Sequence, residues 1–175
     1  MAQIQKHFGI NLPIATILQN PTITQIANIL SQQTNSLPNS TLVAINKNGS
    51  QTPLFCVPGV AGNGLYFYKL ADYLGSEQPF YTFQARGLDG KSIPHNHIED
   101  MATDYIQAMQ TVQPQGPYIL GGYSFGSNIA LEMTKQLQQQ GHEVALLAVL
   151  DNFAPIEINK PKRFFIWMQK LDLST

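Results

Sequence analysis

Gly122-Tyr123-Ser124-Phe125-Gly126 sets a serine between two glycines at G-x-S-x-G spacing. At that spacing a strand can turn sharply into a helix and leave the serine hydroxyl available as a nucleophile. The flanks suit such a turn. Pro117-Tyr118-Ile119-Leu120 before it is short, apolar and partly β-branched, and after it Ile129, Ala130, Met133 and Leu137 recur at helical spacing, with Gly141 placed as a C-cap. Gly122 and Gly126 give strand and helix room to approach, which leaves Ser124 pointing into solvent at the helix N-terminus. A glycine-rich turn with an N-capping serine carries the same letters but does not require this setting.

A serine hydroxyl at its free pKa is a poor nucleophile, so Ser124 needs a general base, and the base needs an acid to hold its tautomer. In α/β-hydrolases these follow in the order Ser, Asp or Glu, His. Asp151 comes directly after the apolar run Val144 to Leu150, which puts its carboxylate at the active-site edge of a parallel sheet. No histidine follows it: the four are His7, His95, His97 and His142. His142 falls in the turn after the elbow helix, at the far edge of the sheet. His95 and His97 read as surface residues of the loop Pro94-His95-Asn96-His97, and no third metal ligand stands near them.

A second glycine-rich segment, Pro58-Gly59-Val60-Ala61-Gly62-Asn63-Gly64, also joins a strand to a helix. A nucleotide site fits it poorly: the spacing is G-x-x-G-x-G, no Lys-Ser/Thr follows, and no ribose-binding acid ends the next strand. In a hydrolase, a loop at this place donates one backbone N–H to the oxyanion and the residue after the serine donates the other, which selects Val60 and Phe125. Cys56, the single cysteine, lies inside Leu54-Phe55-Cys56-Val57 and reads as a buried structural thiol.

These residues need a sheet to hold them. Strands are expected over 41–46, 53–57, 80–84, 118–120 and 144–150, with helices over 63–74, 98–112 and 127–140. Repeated βα units imply a mostly parallel sheet with helices on both faces. The 175 residues suffice for one domain plus a fragment of another. Residues 1–30 form a separate unit of short helices that is too small to fold alone, and 31–40, poor in apolar residues, read as a linker. The last stretch, 156–175, reads as the start of a helical insertion. Charged residues make up 12% of the chain and the net charge is −1, without a basic run, which argues against nucleic-acid or anionic-membrane partners. No apolar run is long enough to span a bilayer, no signal-peptide pattern opens the chain, and one cysteine fits a reducing compartment, so a cytoplasmic location is expected.

With these residues placed, the chain resembles the type I thioesterase domains that end nonribosomal peptide synthetases and polyketide synthases. The resemblance rests on Leu54-Phe55-Cys56-Val57-Pro58-Gly59, Gln84-Ala85-Arg86-Gly87-Leu88-Asp89-Gly90, Ile98-Glu99-Asp100-Met101-Ala102 and Gly121 to Gly126. Phe8-Gly9-Ile10-Asn11-Leu12-Pro13 and Asn20-Pro21-Thr22-Ile23 resemble the end of a peptidyl carrier domain. The resemblance implies an α/β-hydrolase fold over 41–175, incomplete at its C-terminus and entering its lid near 156, after a partial carrier over 1–30. It also implies the chemistry. An upstream carrier, part of the synthetase modules, presents an acyl or peptidyl thioester on a phosphopantetheine arm; Ser124 takes the acyl group, Val60 and Phe125 hold the oxyanion, and Asp151 orients a histidine. Water or an internal nucleophile then releases an acid or a macrocycle. The carrier's pantetheine serine is expected upstream of Met1, and the histidine well beyond the lid. Negligible turnover is therefore expected of these residues taken alone. A general esterase or editing thioesterase is a second reading, and a non-catalytic scaffold of the same fold is a third.

Overall fold

A computed structural model of the chain describes residues 4, 6, 12, 16, 20, 22–31, 41–88, 92–152 and 165–168. Residues 32–40 of the linker expected over 31–40, most of the carrier-like segment with His7, residues 89–91 and the residues from 153 to 164 and from 169 to 175 lie outside them. The described elements are α1 (Ile23–Ser31), β1 (Leu42–Asn46), β2 (Leu54–Val57), α2 (Phe67–Leu74), β3 (Phe80–Phe83), α3 (Ile98–Gln110), β4 (Tyr118–Tyr123), α4 (Phe125–Gln139), β5 (Val144–Leu150) and β6 (Phe165–Met168). Helix α1 starts with a capping box: the Gln25 N–H donates to Thr22 Oγ1 (3.2 Å) and the Thr22 N–H to Gln25 Oε1 (3.1 Å).

The six strands form one sheet in the order β1-β3-β2-β4-β5-β6. β1 runs antiparallel to β3, and every other neighbouring pair is parallel. The parallel strands carry the apolar runs LFCV and VALLAVL, and FYTF with the single polar residue Thr82, as burial on both faces demands. After β2 the chain crosses to β3 on one side, and after β4 it crosses to β5 on the other. Neighbours whose connections diverge in this way leave a crevice outside their carboxyl ends, so the topology sets a site at the ends of β2 and β4.

Alternation along the strands divides the core between two faces. Phe55, Val57, Tyr81, Phe83, Leu120, Leu147 and Val149 pack with α3 and α4 through Tyr105, Met109, Ile129, Met133 and Leu137. Cys56 and Phe80 face the other way, against Phe67 and Ala71 of α2. Tyr105 stacks on Phe83 with ring centroids 4.5 Å apart. Each such fully buried side chain contributes about 1.5–3 kcal/mol relative to exposure.

Three of the differences from the sequence expectation have a cause in the tertiary structure. Helix α2 starts at Phe67 and not at residue 63, because the chain first runs tightly over β3: a methyl group on Gly64 would lie 2.3 Å from the Thr82 side chain. Strand β4 continues to Tyr123, since Gly121 and Gly122 extend its ladder to Cys56 and Val57 on one side and to Ala148 and Val149 on the other. The third difference corrects the reading of 156–175 as helical. Phe165–Met168 is a strand whose backbone pairs parallel with Leu147 through Leu150. Aromatic and β-branched residues suit a pleated ladder, and β5 would otherwise end the sheet as an unpaired apolar edge.

Candidate active site

Between the end of β4 and the start of α4 stands a single residue, Ser124, which makes the whole turn with φ 50° and ψ −124°. A side chain held there costs about 1–3 kcal/mol and persists only where its surroundings fix it. They do so on three sides. The Ser124 N–H donates to the Leu150 carbonyl (2.8 Å), and the Ser124 carbonyl accepts from the Ser127 N–H (2.9 Å) and from Asn152 Nδ2 (3.0 Å). The Ser127 hydroxyl, itself buried, donates to the Gly122 carbonyl (2.7 Å) across the inside of the turn. Both flanking glycines are demanded by contact. A methyl group on Gly122 would lie 2.5 Å from the Gly126 carbonyl oxygen, and one on Gly126 would lie 2.3 Å from that of Pro58. Ser124 Oγ makes no capping bond to the helix it precedes.

The loop after β2 approaches the elbow from the neighbouring strand, Val57 being the register partner of Gly122. A methyl group on Gly59 would stand 3.5 Å from Ser124 Cβ. The loop is tied at three points. The Gly59 N–H donates to the Tyr66 hydroxyl oxygen, the Gly62 N–H to the Gly59 carbonyl (2.8 Å), and the Ala85 N–H to the Gly62 carbonyl (2.8 Å). The Val60 N–H has no acceptor among the described residues, and Val60 stands exposed at the tip. The Phe125 N–H, in the first turn of α4, likewise has no acceptor among them. These unsatisfied amides add to the positive end of the α4 dipole, a combination that favours negative charge near Ser124.

Asp151 directly follows β5, whose last residue, Leu150, is the register partner of Tyr123. Ser124 and Asp151 are thus the residues next beyond two paired strand ends. Asp151 is the second non-glycine residue at positive φ (50°), it is exposed, and its carboxylate makes no hydrogen bond or ion pair within the described residues. The three described imidazoles lie elsewhere. His95 Nε2 is 3.2 Å from Asp104 Oδ2, a carboxylate shared with Arg86 at 3.8 Å. His142 sits edge-on to Tyr118 at the opening of β4, the end away from Ser124. His97 is the exposed N-cap of α3. Among the described residues no group of three His, Cys, Asp or Glu could hold a metal ion, and no helix is long and apolar enough to cross a membrane.

Cys56 is buried at 1% exposure, on the face of β2 opposite Phe55. Removal from water pushes its thiol pKa up, so it stays protonated and unreactive. Three residues of the site carried no sequence signal of their own. Asn152 fastens the elbow through one hydrogen bond and Ser127 through its backbone N–H and its hydroxyl, and Tyr66 reaches back to Gly59 from the start of α2.

Residues 52–164 match the family described as the thioesterase domain. The dimodular nonribosomal peptide synthase of Bacillus subtilis (strain 168) is 36% identical over 161 residues, 90% of this chain and 7% of that protein. The atromentin synthetase of Tapinella panuoides is 36% identical over 153 residues, 84% of this chain and 16% of that protein. Among solved structures, a four-domain nonribosomal peptide synthetase bound to AMP and glycine superposes with a TM-score of 0.67 at 32% identity, covering 93% of this chain and 12% of its own. The NocB thioesterase domain from the nocardicin cluster superposes with a TM-score of 0.60 at 29% identity, covering 65% of this chain and 51% of its own. The chain therefore spans a small part of the curated relatives that it matches. A serine elbow at the carboxyl edge of a largely parallel sheet and a family match over most of the chain agree: the chain belongs to the thioesterase domain family and is related to the thioesterase domains of nonribosomal peptide synthetases.

Proposed function

We propose that this chain is the releasing thioesterase segment of a nonribosomal-peptide-type assembly line, and that it acts through a serine acyl-enzyme on a carrier-tethered acyl or peptidyl thioester. The observation that carries the reading is Ser124, held at positive φ on the carboxyl edge of the sheet beside two backbone N–H groups without acceptors among the described residues. Ser124 Oγ attacks the thioester carbonyl carbon and passes its proton to an imidazole. The Val60 and Phe125 N–H groups take the negative charge that develops on the carbonyl oxygen. Collapse breaks the C–S bond; the arm's sulfur leaves with the proton, and the acyl group stays as an ester on Ser124. Water, or a nucleophile within the acyl chain, then attacks that ester and frees the serine. Asp151 orients the imidazole and stabilises its charged form.

We place that imidazole outside these 175 residues. Of the described histidines, His95 is engaged by Asp104, His142 lies at the other end of β4, and His97 is exposed at the N-cap position of α3 without a side-chain capping bond. Residues 1–30 we assign to the end of the phosphopantetheine carrier and 31–40 to its linker. The match to the four-domain synthetase, which covers 93% of the chain against 65% for the thioesterase domain alone, supports that assignment.

The test is a thioester of N-acetylcysteamine offered to the intact protein that carries this chain. An acyl adduct on Ser124 by mass spectrometry, absent after Ser124→Ala, is expected. A wild-type protein that turns the thioester over without acylating Ser124 refutes the mechanism. The 175 residues alone are expected to turn it over negligibly, and a rate near that of the intact protein refutes the placement of the base.

A further inference from the structure

We propose that Tyr66 is a positioning residue for the oxyanion site: its hydroxyl fixes the root of the loop at the Pro58–Gly59 peptide, so that the Val60 N–H is presented toward Ser124. The inference rests on the serine mechanism above and goes beyond it by assigning a role to a side chain outside the elbow.

The loop from Gly59 to Gly62 has two backbone ties, from the Gly62 N–H to the Gly59 carbonyl and from the Ala85 N–H to the Gly62 carbonyl. The first closes the loop on itself, and the second holds its far end against the segment after β3. At the near end the one hydrogen bond among the described residues that reaches outside the loop is that of the Gly59 N–H to the Tyr66 hydroxyl. Pro58, just before it, has no N–H to offer a strand or a turn. Gly59 is buried, so water does not replace this acceptor. The phenol is braced in turn. Its ring lies tilted against those of Tyr123, the residue before the nucleophile (5.1 Å), and Phe67 (5.0 Å). Tyr66 thus couples the two loops that form the site, contacting the elbow by its ring and the oxyanion loop by its oxygen.

Packing alone does not explain the residue. Tyr66 remains 42% exposed, so its burial is modest, while its hydroxyl meets a buried main-chain donor. Burial raises the phenol's pKa, and the proximity of Tyr123 adds to that against the lowering effect of the Gly59 bond. The group is therefore a neutral acceptor throughout the working pH range. The bond also occupies the Gly59 N–H, which leaves Val60 as the next amide able to face a developing charge. Oxyanion bonds strengthen in the transition state, so an error in placing that amide falls on kcat and spares KM.

The experiment compares Tyr66→Phe with wild type in the intact protein that carries this chain, measuring kcat and KM for an N-acetylcysteamine thioester well below the unfolding temperature. Because removing one oxyanion donor costs about 10²–10³ in kcat and Y66F misplaces a donor without removing it, a loss of about 10–100-fold in kcat is expected, with KM within about twofold. Tyr73→Phe, an exposed tyrosine of α2, is expected to leave both unchanged. A purely structural Tyr66 would lower the unfolding temperature with kcat intact, and that result overturns the proposal. A wild-type protein that forms no adduct at Ser124 overturns the mechanism and this inference together; an adduct formed with undiminished kcat in Y66F overturns the inference alone. If Y66F does not fold, amide exchange in the wild type decides. A Gly59 amide protected beside a freely exchanging Val60 amide is expected, and equal exchange at the two overturns the proposal.

Discussion

Gly126→Ala tests the elbow most directly, because its effect can be worked out from two distances. The added methyl group would lie 2.3 Å from the Pro58 carbonyl oxygen and 2.4 Å from that of Val57, where ordinary contact begins at 3.4 Å. Strand and helix must therefore separate by about 1 Å. Neither obstacle gives way easily, since both are main-chain atoms at the end of β2, a strand paired on both sides with β3 and β4. Overpacking of this kind costs up to about 3 kcal/mol. Alanine's better helix propensity returns up to about 1 kcal/mol, for a net loss of about 2 kcal/mol. At about 2–4 °C per kcal/mol, the unfolding midpoint should fall by about 4–8 °C. A displacement of about 1 Å at the start of α4 also moves Ser124 and the Phe125 N–H, enough to slow acylation about 100-fold. Circular dichroism reads the first quantity, and the rate at which a fluorophosphonate labels Ser124 in the intact protein reads the second. Gly141→Ala is the comparison. It meets nothing within 4 Å and carries only the strain of its φ of 83°, so it should lose about 1 kcal/mol and label at the wild-type rate. A Gly126→Ala midpoint within about 1 °C of wild type would refute the steric reasoning.

Ser127→Ala removes the buried donor to the Gly122 carbonyl (2.7 Å) and should cost about 1–3 kcal/mol in chemical denaturation, while Ser127→Thr, which keeps the hydroxyl, should recover part of that. Thr82→Val keeps the shape of a fully buried side chain but loses its bond to the Cys56 carbonyl (2.9 Å); a loss of about 1 kcal/mol is expected, and an unchanged midpoint would contradict it. Burial raises the Cys56 pKa in the folded state, so as pH rises the unfolded thiol ionises first, near its ordinary value of about 8.5, and stability falls above that pH by up to about 1.4 kcal/mol per unit. Cys56→Ala should remove that part of the slope between about pH 8 and 10. Iodoacetamide should label Cys56 only in denaturant, and rapid labelling of the native protein would show that the thiol is not sealed.

The elbow was legible in the sequence because its requirements are local. A glycine on either side of Ser124, an apolar run before and a helical period after are all visible in one short stretch, and the structure puts the turn there. The strand pattern was equally readable, since parallel strands buried on both faces declare themselves as apolar runs. The missed boundaries arise where a tertiary neighbour decides. Nothing near residue 63 announces that Gly64 must clear Thr82, a residue on another strand, before a helix can start. Phe165–Met168 falls in a stretch read as helical from its sequence, and its pairing with the open edge of β5 makes it a strand instead.

The sequence alone determined a G-x-S-x-G turn between a strand and a helix, an acidic residue directly after the following strand, and the order of βα units that makes a mostly parallel sheet. These follow from side-chain periodicity and from the steric needs of single residues. The tertiary structure decided what those parts meet. Parallel pairing carries Leu150 to the Ser124 N–H and puts Asp151 next to the elbow; the Tyr66 hydroxyl, seven residues from Gly59, fixes the loop that faces it; and Asp104 takes up His95. Such meetings depend on strand register and on the side to which each crossover turns, and both are settled only when distant apolar faces are buried together.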